Sequence, residues 1–226
     1  MKAMGGGRTG FFKAGLIAMA AILALAGTAS PVGAQSSAQA TAAADQEYAA
    51  RLAQLKRGGV EVDFVALREA YAKSSHYNPY GGHREAQAMI SSFNAGNCAA
   101  TLETAAKVLD DNYLDLDAHY LSARCLARAG EEDKANLHVA VYVGLLDAIA
   151  ASGDGKSPAT AYQVLSVAEE YAVIRRLKRR PVGQALIDSG GHAFDKMDVT
   201  DEAGQTSSLY FNVDLLLARE AKLLGK

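Results

Sequence analysis

The sequence predicts an α+β fold: helical hairpins first, then an antiparallel sheet of about four strands and a closing helix. Three observations carry that expectation. Apolar residues recur at helical spacing up to about residue 152. The cluster Ser152-Gly153-Asp154-Gly155-Lys156-Ser157-Pro158 then stops the helical pattern. Beyond it the apolar positions alternate with period two, as half-buried strands require.

Residues 1–34 of the 226 read as a secretory signal peptide. The start is basic (Lys2, Arg8, Lys13), Leu16 to Ala26 is apolar, and Val32 and Ala34 fit the small-residue pattern ahead of a cut after Ala34. The apolar run falls short of the roughly 20 residues that a membrane helix needs, so a retained anchor is the lesser reading. Residues 35–45, a run of Ala, Ser, Gln and Thr ending in Asp45, show no periodicity and predict a flexible leader. Residues 46–226 are expected to fold as one domain, mainly helical over 46–152 and mainly strand over 158–217.

Within the helical part, Val62 to Tyr71 carries Phe64, Leu67 and Tyr71 on one stripe. His76-Tyr77-Asn78-Pro79-Tyr80-Gly81-Gly82 marks a turn, and Arg84 to Phe93 a second helix. Cys98, Leu102, Ala105 and Leu109 form one stripe, and Leu121, Cys125, Leu126 and Ala129 another. Joined by Asn112 to Asp117, these predict a helical hairpin, with Gly130 just past its second helix. The stretch Ala118 to Ala135 is similar to the second half of a tetratricopeptide unit, without a repeat at that spacing elsewhere. Glu132 to Ala151 is a further helix.

In the second half, Tyr162 to Val167 and Tyr171 to Leu177 read as strands joined by Ala168-Glu169-Glu170, with a turn through Pro181 and Gly183. Ala193 to Thr200 and Ser207 to Asp214 flank a hairpin connection at residues 201–205. In the last strand Leu209, Phe211 and Val213 should face opposite to Tyr210, Asn212 and Asp214. Leu215 to Leu224 reads as a closing helix.

A formal net charge of −2 gives no basic field for nucleic acid, and no second apolar stretch predicts stable membrane insertion once the leader is cut. Two cysteines, Cys98 and Cys125, suggest one disulfide in an exported protein; two separate buried thiols are the alternative. In an antiparallel helix pair their axial offset is roughly 6 Å, borderline for a bridge. Gly155-Lys156-Ser157 resembles the end of a phosphate loop, but the first glycine would fall at Ala150 and a helix stands where a strand should. No metal-ligand spacing is present, and no cofactor is expected.

Five histidines offer a base: His76, His83, His119, His138 and His192. His119 and His138 stand on helices either side of a turn, placed to meet. Gly190-Gly191-His192 precedes a strand with Asp195, beside one offering Tyr210, Asn212 and Asp214. A histidine with a carboxylate has the parts of an acid/base pair. A solvated polar sheet face explains the same residues. Glu169-Glu170 reads as an exposed turn pair, and the run Arg175 to Arg180 as a basic cluster whose charges a strand would split over two faces.

The second half resembles a family of exported bacterial proteins known as domain of unknown function 4919. The residues that carry the resemblance are Asp154-Gly155-Lys156-Ser157-Pro158, Thr160-Ala161-Tyr162, Glu169-Glu170-Tyr171, Gln184, Leu186-Ile187, Gly191-His192, Asp195 and Tyr210-Phe211-Asn212-Val213-Asp214. Tyr77-Asn78-Pro79-Tyr80 and Ala118-His119 also fit. The resemblance implies an α+β fold and export, and carries no catalytic residues across. The basic run before Pro181 departs from the Gly-rich turn that the resemblance implies there.

The function expected is that of an exported binding or interaction domain without chemistry of its own. Its partner would be an envelope protein or a small ligand, with Asp154, Lys156, Glu170 and Asn212 as candidate ligand contacts. The competing expectation is a small hydrolase or lyase, with His192 as base, Asp195 or Asp214 orienting it, and Lys156 or Tyr210 stabilising developing charge. Catalysis requires His192 and its carboxylate to converge in a concave pocket.

Overall fold

A computed structural model describes residues 32–58 and 61–225. The expected cut after Ala34 lies at the margin of these residues, and the basic start and apolar run lie outside them. Eight helices among the described residues accompany one four-stranded sheet, an α+β architecture. The helices are α1 (Val32–Lys56), α2 (Phe64–Lys73), α3 (His83–Asn94), α4 (Cys98–Asp111), α5 (Leu116–Arg128), α6 (Glu132–Ala150), α7 (Val167–Arg176) and α8 (Asp214–Leu223). The strands are β1 (Tyr162–Gln163), β2 (Arg180–Ser189), β3 (His192–Thr200) and β4 (Thr206–Asn212).

The helical half follows the periodicity. Asp63, Asn97 and Asp115 each accept a hydrogen bond from a first-turn backbone N–H at the starts of α2, α4 and α5, the role these short side chains take at helix N-caps. Past α5, Gly130 N–H donates to Ala127 O at 3.1 Å and Glu131 N–H to Leu126 O at 2.9 Å, closing the helix in a Schellman ending. Residues 35–45, expected as a flexible leader, instead lie in α1. Alanine is the strongest helix former, so this composition needs no apolar stripe to continue a helix. The far end of the segment is held, because Asp45 accepts from Ser75 N–H at 2.7 Å and from its hydroxyl at 3.0 Å.

The sheet order is β1-β4-β3-β2. It is mixed where an antiparallel one was expected: β3 pairs antiparallel with β2 and β4, but β1 runs parallel to β4, with Tyr162 beside Phe211. The segment expected as a strand from Tyr171 to Leu177, with its link at 168–170, is helix α7. Ser166 caps it, accepting from Glu169 N–H. The Ser-x-x-Glu spacing is a helix-start signal that outweighs the short alternation after it. Pro181 and Gly183, expected in a turn, lie inside β2 on either side of a bulge. Proline is tolerated there because β2 is the sheet edge.

The main core lies between the inner sheet face (Met197, Val199, Leu209, Phe211) and apolar residues of α1, α2, α6 and α7. As the alternation predicted, Leu209, Phe211 and Val213 are buried while Tyr210, Asn212 and Asp214 are only partly so. A smaller core joins α3, α4 and α5 around Met89, Ala105, Val108, Leu109, Ala118 and Leu121. Cys98 and Cys125 are disulfide-bonded with Cα atoms 5.2 Å apart, tying the start of α4 to the end of α5. The bond closes a sequence separation of 27 residues. Its removal as Cys98→Ser with Cys125→Ser is expected to cost about 3 kcal/mol. Urea denaturation with and without reductant measures this: wild type should lose that amount on reduction, and the double variant nothing further.

Candidate functional site

The sequence-derived candidates fall into three separate places. The first is the end of the sheet. His192 Nδ1 lies 2.7 Å from Asp214 Oδ2. Asp214 opens α8 and also accepts from Ala193 N–H at 2.8 Å and Asn212 Nδ2 at 3.2 Å. These bonds, the backbone one first, hold its carboxyl below the usual range. The pair is open to water, the His192 side chain being 64% exposed, and neither residue lines a described cavity. Tyr210 stands opposite Lys196 on the same strand pair.

The second place is a buried carboxyl pair under α7. Asp195 does not join His192. It shares the helix-covered face with Met197 and Val199, accepts from Gln184 Nε2 at 2.8 Å, and lies beside Glu170. Glu170, expected as an exposed turn acid, is fully buried, because the segment is helix and presents that position to the sheet. Burial first, then the Asp195 charge, pushes its carboxyl up to about 8. Its neighbour Glu169 turns the other way, toward Arg68 of α2.

The third place is the loop between α6 and β1. Asp154 accepts from the Thr160 hydroxyl at 2.6 Å and from Lys156 N–H at 3.1 Å, and the Thr160 bond is the main reason its carboxyl falls to about 2. Lys156 Nζ reaches back to Asp154 at 3.2 Å. Gly155 donates to Thr160 O and accepts from Tyr210 N–H, both at 2.8 Å, fastening the loop to β4. A side chain at Gly155 would run into the Tyr162 ring, 2.3 Å from where its Cβ would stand. Asp154 and Lys156 therefore spend their polar groups on closing this loop.

His119 and His138 do meet, Nδ1 to Nδ1 at 2.9 Å. His119 Nε2 lies 2.8 Å from Tyr113 O, which can only accept, so Nε2 carries the proton. The Nδ1–H between the rings then belongs to His138. Burial drives His119 down to about 4, so it stays neutral in this role.

What sequence reasoning missed is a groove of about 730 Å³ among the helices. Its walls are the Asn78–Gly82 turn with α3, and the α4–α5 connection; the first turn of α7 and Leu216 of α8 complete it. The turn is pressed tightly onto α4: a Cβ at Gly81 would lie 2.4 Å from the Asn78 amide and 2.9 Å from Asp111 Oδ2. Tyr80 donates to Leu216 O at 3.3 Å, linking the turn to α8. Four carboxylates line the groove: Asp111, Asp115, Asp117 and Glu169. Asp117 pairs with Arg175 at 2.7 Å and Glu169 with Arg68. Asp111 enters no ion pair among the described residues. Burial raises Asp115 to about 6, against its cap bond from Ala118 N–H. Tyr71, Tyr80 and Tyr171 supply aromatic surface. The sequence held one signal for it, the Asn-Pro-Tyr-Gly-Gly turn, but not what that turn faces.

The fold and this groove define a helix-on-sheet α+β protein with an acidic, tyrosine-lined recess. The chain belongs to the family described as Domain of unknown function (DUF4919), whose model matches residues 60–222. No curated protein and no solved structure matches it. Among the described residues no helix is long and apolar enough to cross a membrane, and no group of three or more His, Cys, Asp or Glu could hold a metal ion.

Proposed function

We propose that the protein is an exported binding module that performs no chemistry and takes a small cationic ligand in the acidic groove. The observation that carries this reading is the pairing of a ligand-sized recess with carboxylates that lack a cation. Small-molecule sites commonly enclose some 300–1,000 Å³, and 730 Å³ falls in that range. Asp111 has no counter-ion among the described residues, and Asp115 is buried at a cost that a cation would offset. The faces of Tyr80 and Tyr171 suit an ammonium or guanidinium group. Export rests on the signal-like residues 1–34, and the disulfide is compatible with it.

Thermal unfolding in the presence of a polyamine, an arginine-containing peptide and an anionic control such as citrate tests the reading. At a hundredfold excess over Kd, the cationic probe that fits should raise the midpoint by about 5–10 °C. The shift should vanish in Asp111→Asn and persist in His192→Ala. It should also shrink below pH of about 6, where Asp115 is protonated. A shift abolished instead by His192→Ala or Asp214→Ala would move the site to the end of the sheet and reopen the hydrolase reading.

A further inference from the structure

The basic run lies where α7 ends and β2 begins, and the structure divides its charges. Arg175 pairs with Asp117 at 2.7 Å, Arg176 with Asp147 at 2.6 Å and Arg179 with Asp201 at 3.3 Å. Lys178 and Arg180 are exposed and enter none of the ion pairs among the described residues. They rim a notch of about 490 Å³ with Tyr171, Ile174 and Pro181, where the one acid is Glu202.

Lys178 has φ of 53° and is the one non-glycine residue among those described in the left-handed region. Lys178 N–H donates to Arg175 O and Arg179 N–H to Ile174 O, both at 3.1 Å. This is again a Schellman ending, in which glycine is the unstrained choice at the position Lys178 holds. The helix dipole accounts for cations in the last turn of α7. It does not account for a side chain at the strained position itself. Strain kept against an easier residue points to a use for that residue's ammonium group.

Apolar side chains stand in water beside these cations: Leu177 is 42% exposed and Val182 60%. The helical layer leaves β2 uncovered, since every position of the strand except Ile187 is exposed. Pro181 and the bulge at Val182 blunt the edge against pairing with another strand. Unpaired cations flanked by exposed aliphatics match a bilayer surface, where phosphates meet the charges and the aliphatics enter the headgroup boundary.

We propose that this patch docks the protein peripherally on an anionic lipid surface, with Lys178 and Arg180 on headgroup phosphates and Leu177 and Val182 at the interface. It adjoins the acidic groove, with Tyr171 lining both, but Lys178, Arg180, Leu177 and Val182 do not line the groove and the proposal does not depend on the ligand proposed there.

The test is sedimentation of the chain expected after the cut, residues 35–226, with vesicles of phosphatidylglycerol and phosphatidylcholine in equal parts, with phosphatidylcholine vesicles as the baseline. Two free cations, each worth about fivefold, predict binding about 25-fold tighter to the anionic vesicles and weakening with salt. Arg180→Gln should remove about fivefold of it. Lys178→Gly should do the same while raising the unfolding midpoint by about 2–4 °C, so that loss of binding cannot be loss of fold. Leu177→Ser with Val182→Ser should weaken binding to both vesicle types.

Equal binding to neutral and anionic vesicles overturns the proposal, as does wild-type binding by Lys178→Gly. Displacement by millimolar inorganic phosphate overturns it in favour of a free phosphate site. A dimer in solution that Leu177→Ser with Val182→Ser dissociates overturns it in favour of contact between copies.

Discussion

Arg68→Met is expected to destabilise the protein by about 3–5 kcal/mol, measured by urea denaturation. Arg68 and Glu169 are both almost wholly buried, with side chains 7% and 6% exposed, and pair through two contacts, one of them at 3.0 Å. Arg68 Nη2 also donates to Gln163 O at 3.0 Å, so one guanidinium joins α2 to α7 and to β1. Glu169 accepts from Leu165 N–H at 2.7 Å. Truncating the arginine strands a charged carboxylate in the core and leaves that carbonyl without its donor. Arg68→Met with Glu169→Gln should recover most of the loss. The neutral amide still accepts from Leu165 N–H, and replacing both ions removes the uncompensated charge. A double variant as unstable as the single one would show that the guanidinium acts by packing.

Glu170→Gln should have the opposite sign and grow with pH. Its carboxyl ionises near 4.5 when unfolded and near 8 when folded. Below 4.5 both states hold the proton and burial of the neutral acid adds no pH-dependent cost. As pH rises between these values, the unfolded chain releases a proton that the folded chain retains. Stability then falls by about 1.4 kcal/mol per pH unit and stays lowered above 8. The glutamine variant escapes this loss, so its advantage should grow from little at pH 4.5 to about 4 kcal/mol near pH 8. Its amide can also donate to Asp195, which a carboxylate cannot. His119 acts on the acid side: neutral when folded until about pH 4, but protonated below 6.5 when unfolded, it contributes stability that is lost as pH falls from 6.5 toward 4. Wild type should therefore be most stable in the mildly acidic range, and Glu170→Gln should extend that plateau upward. Denaturation at pH 5, 7 and 8 decides it; a constant difference across the series would mean that Glu170 is ionised in the folded protein.

These two acids bear on function through position. Glu169 lines the groove while Glu170 faces the sheet, so the first turn of α7 is held from both sides. A groove wall fixed this firmly would need little reordering to take the ligand proposed for it, which would favour affinity. The sheet-end pair of His192 and Asp214 has the bond that acid/base work needs but not the enclosing walls. In open water, imidazole and carboxylate lose the low-dielectric setting in which such pairs gain strength.

The sequence by itself determined the α+β order, the helical hairpin closed at Gly130, the last two strands with their faces, the closing helix and the family. Each of these rests on local chemistry: a period of apolar residues, a cap, or a turn that a few neighbouring residues decide. It failed where two local signals competed. Val167 to Arg176 alternates like a strand over a few residues yet begins with a helix cap at Ser166, and the cap outweighs the alternation, with Arg68 and Asp195 packed against the helix it starts. The parallel pairing of β1 with β4 joins residues some 50 apart in the chain, a relation that no spacing records. The choice of Asp214 over Asp195 as the partner of His192 followed from which face each side chain takes. The groove itself has walls from α3, α4, α5, α7 and α8, and a cavity is a property of how helices sit together. Residues far apart in sequence make it, so only the tertiary structure could place it.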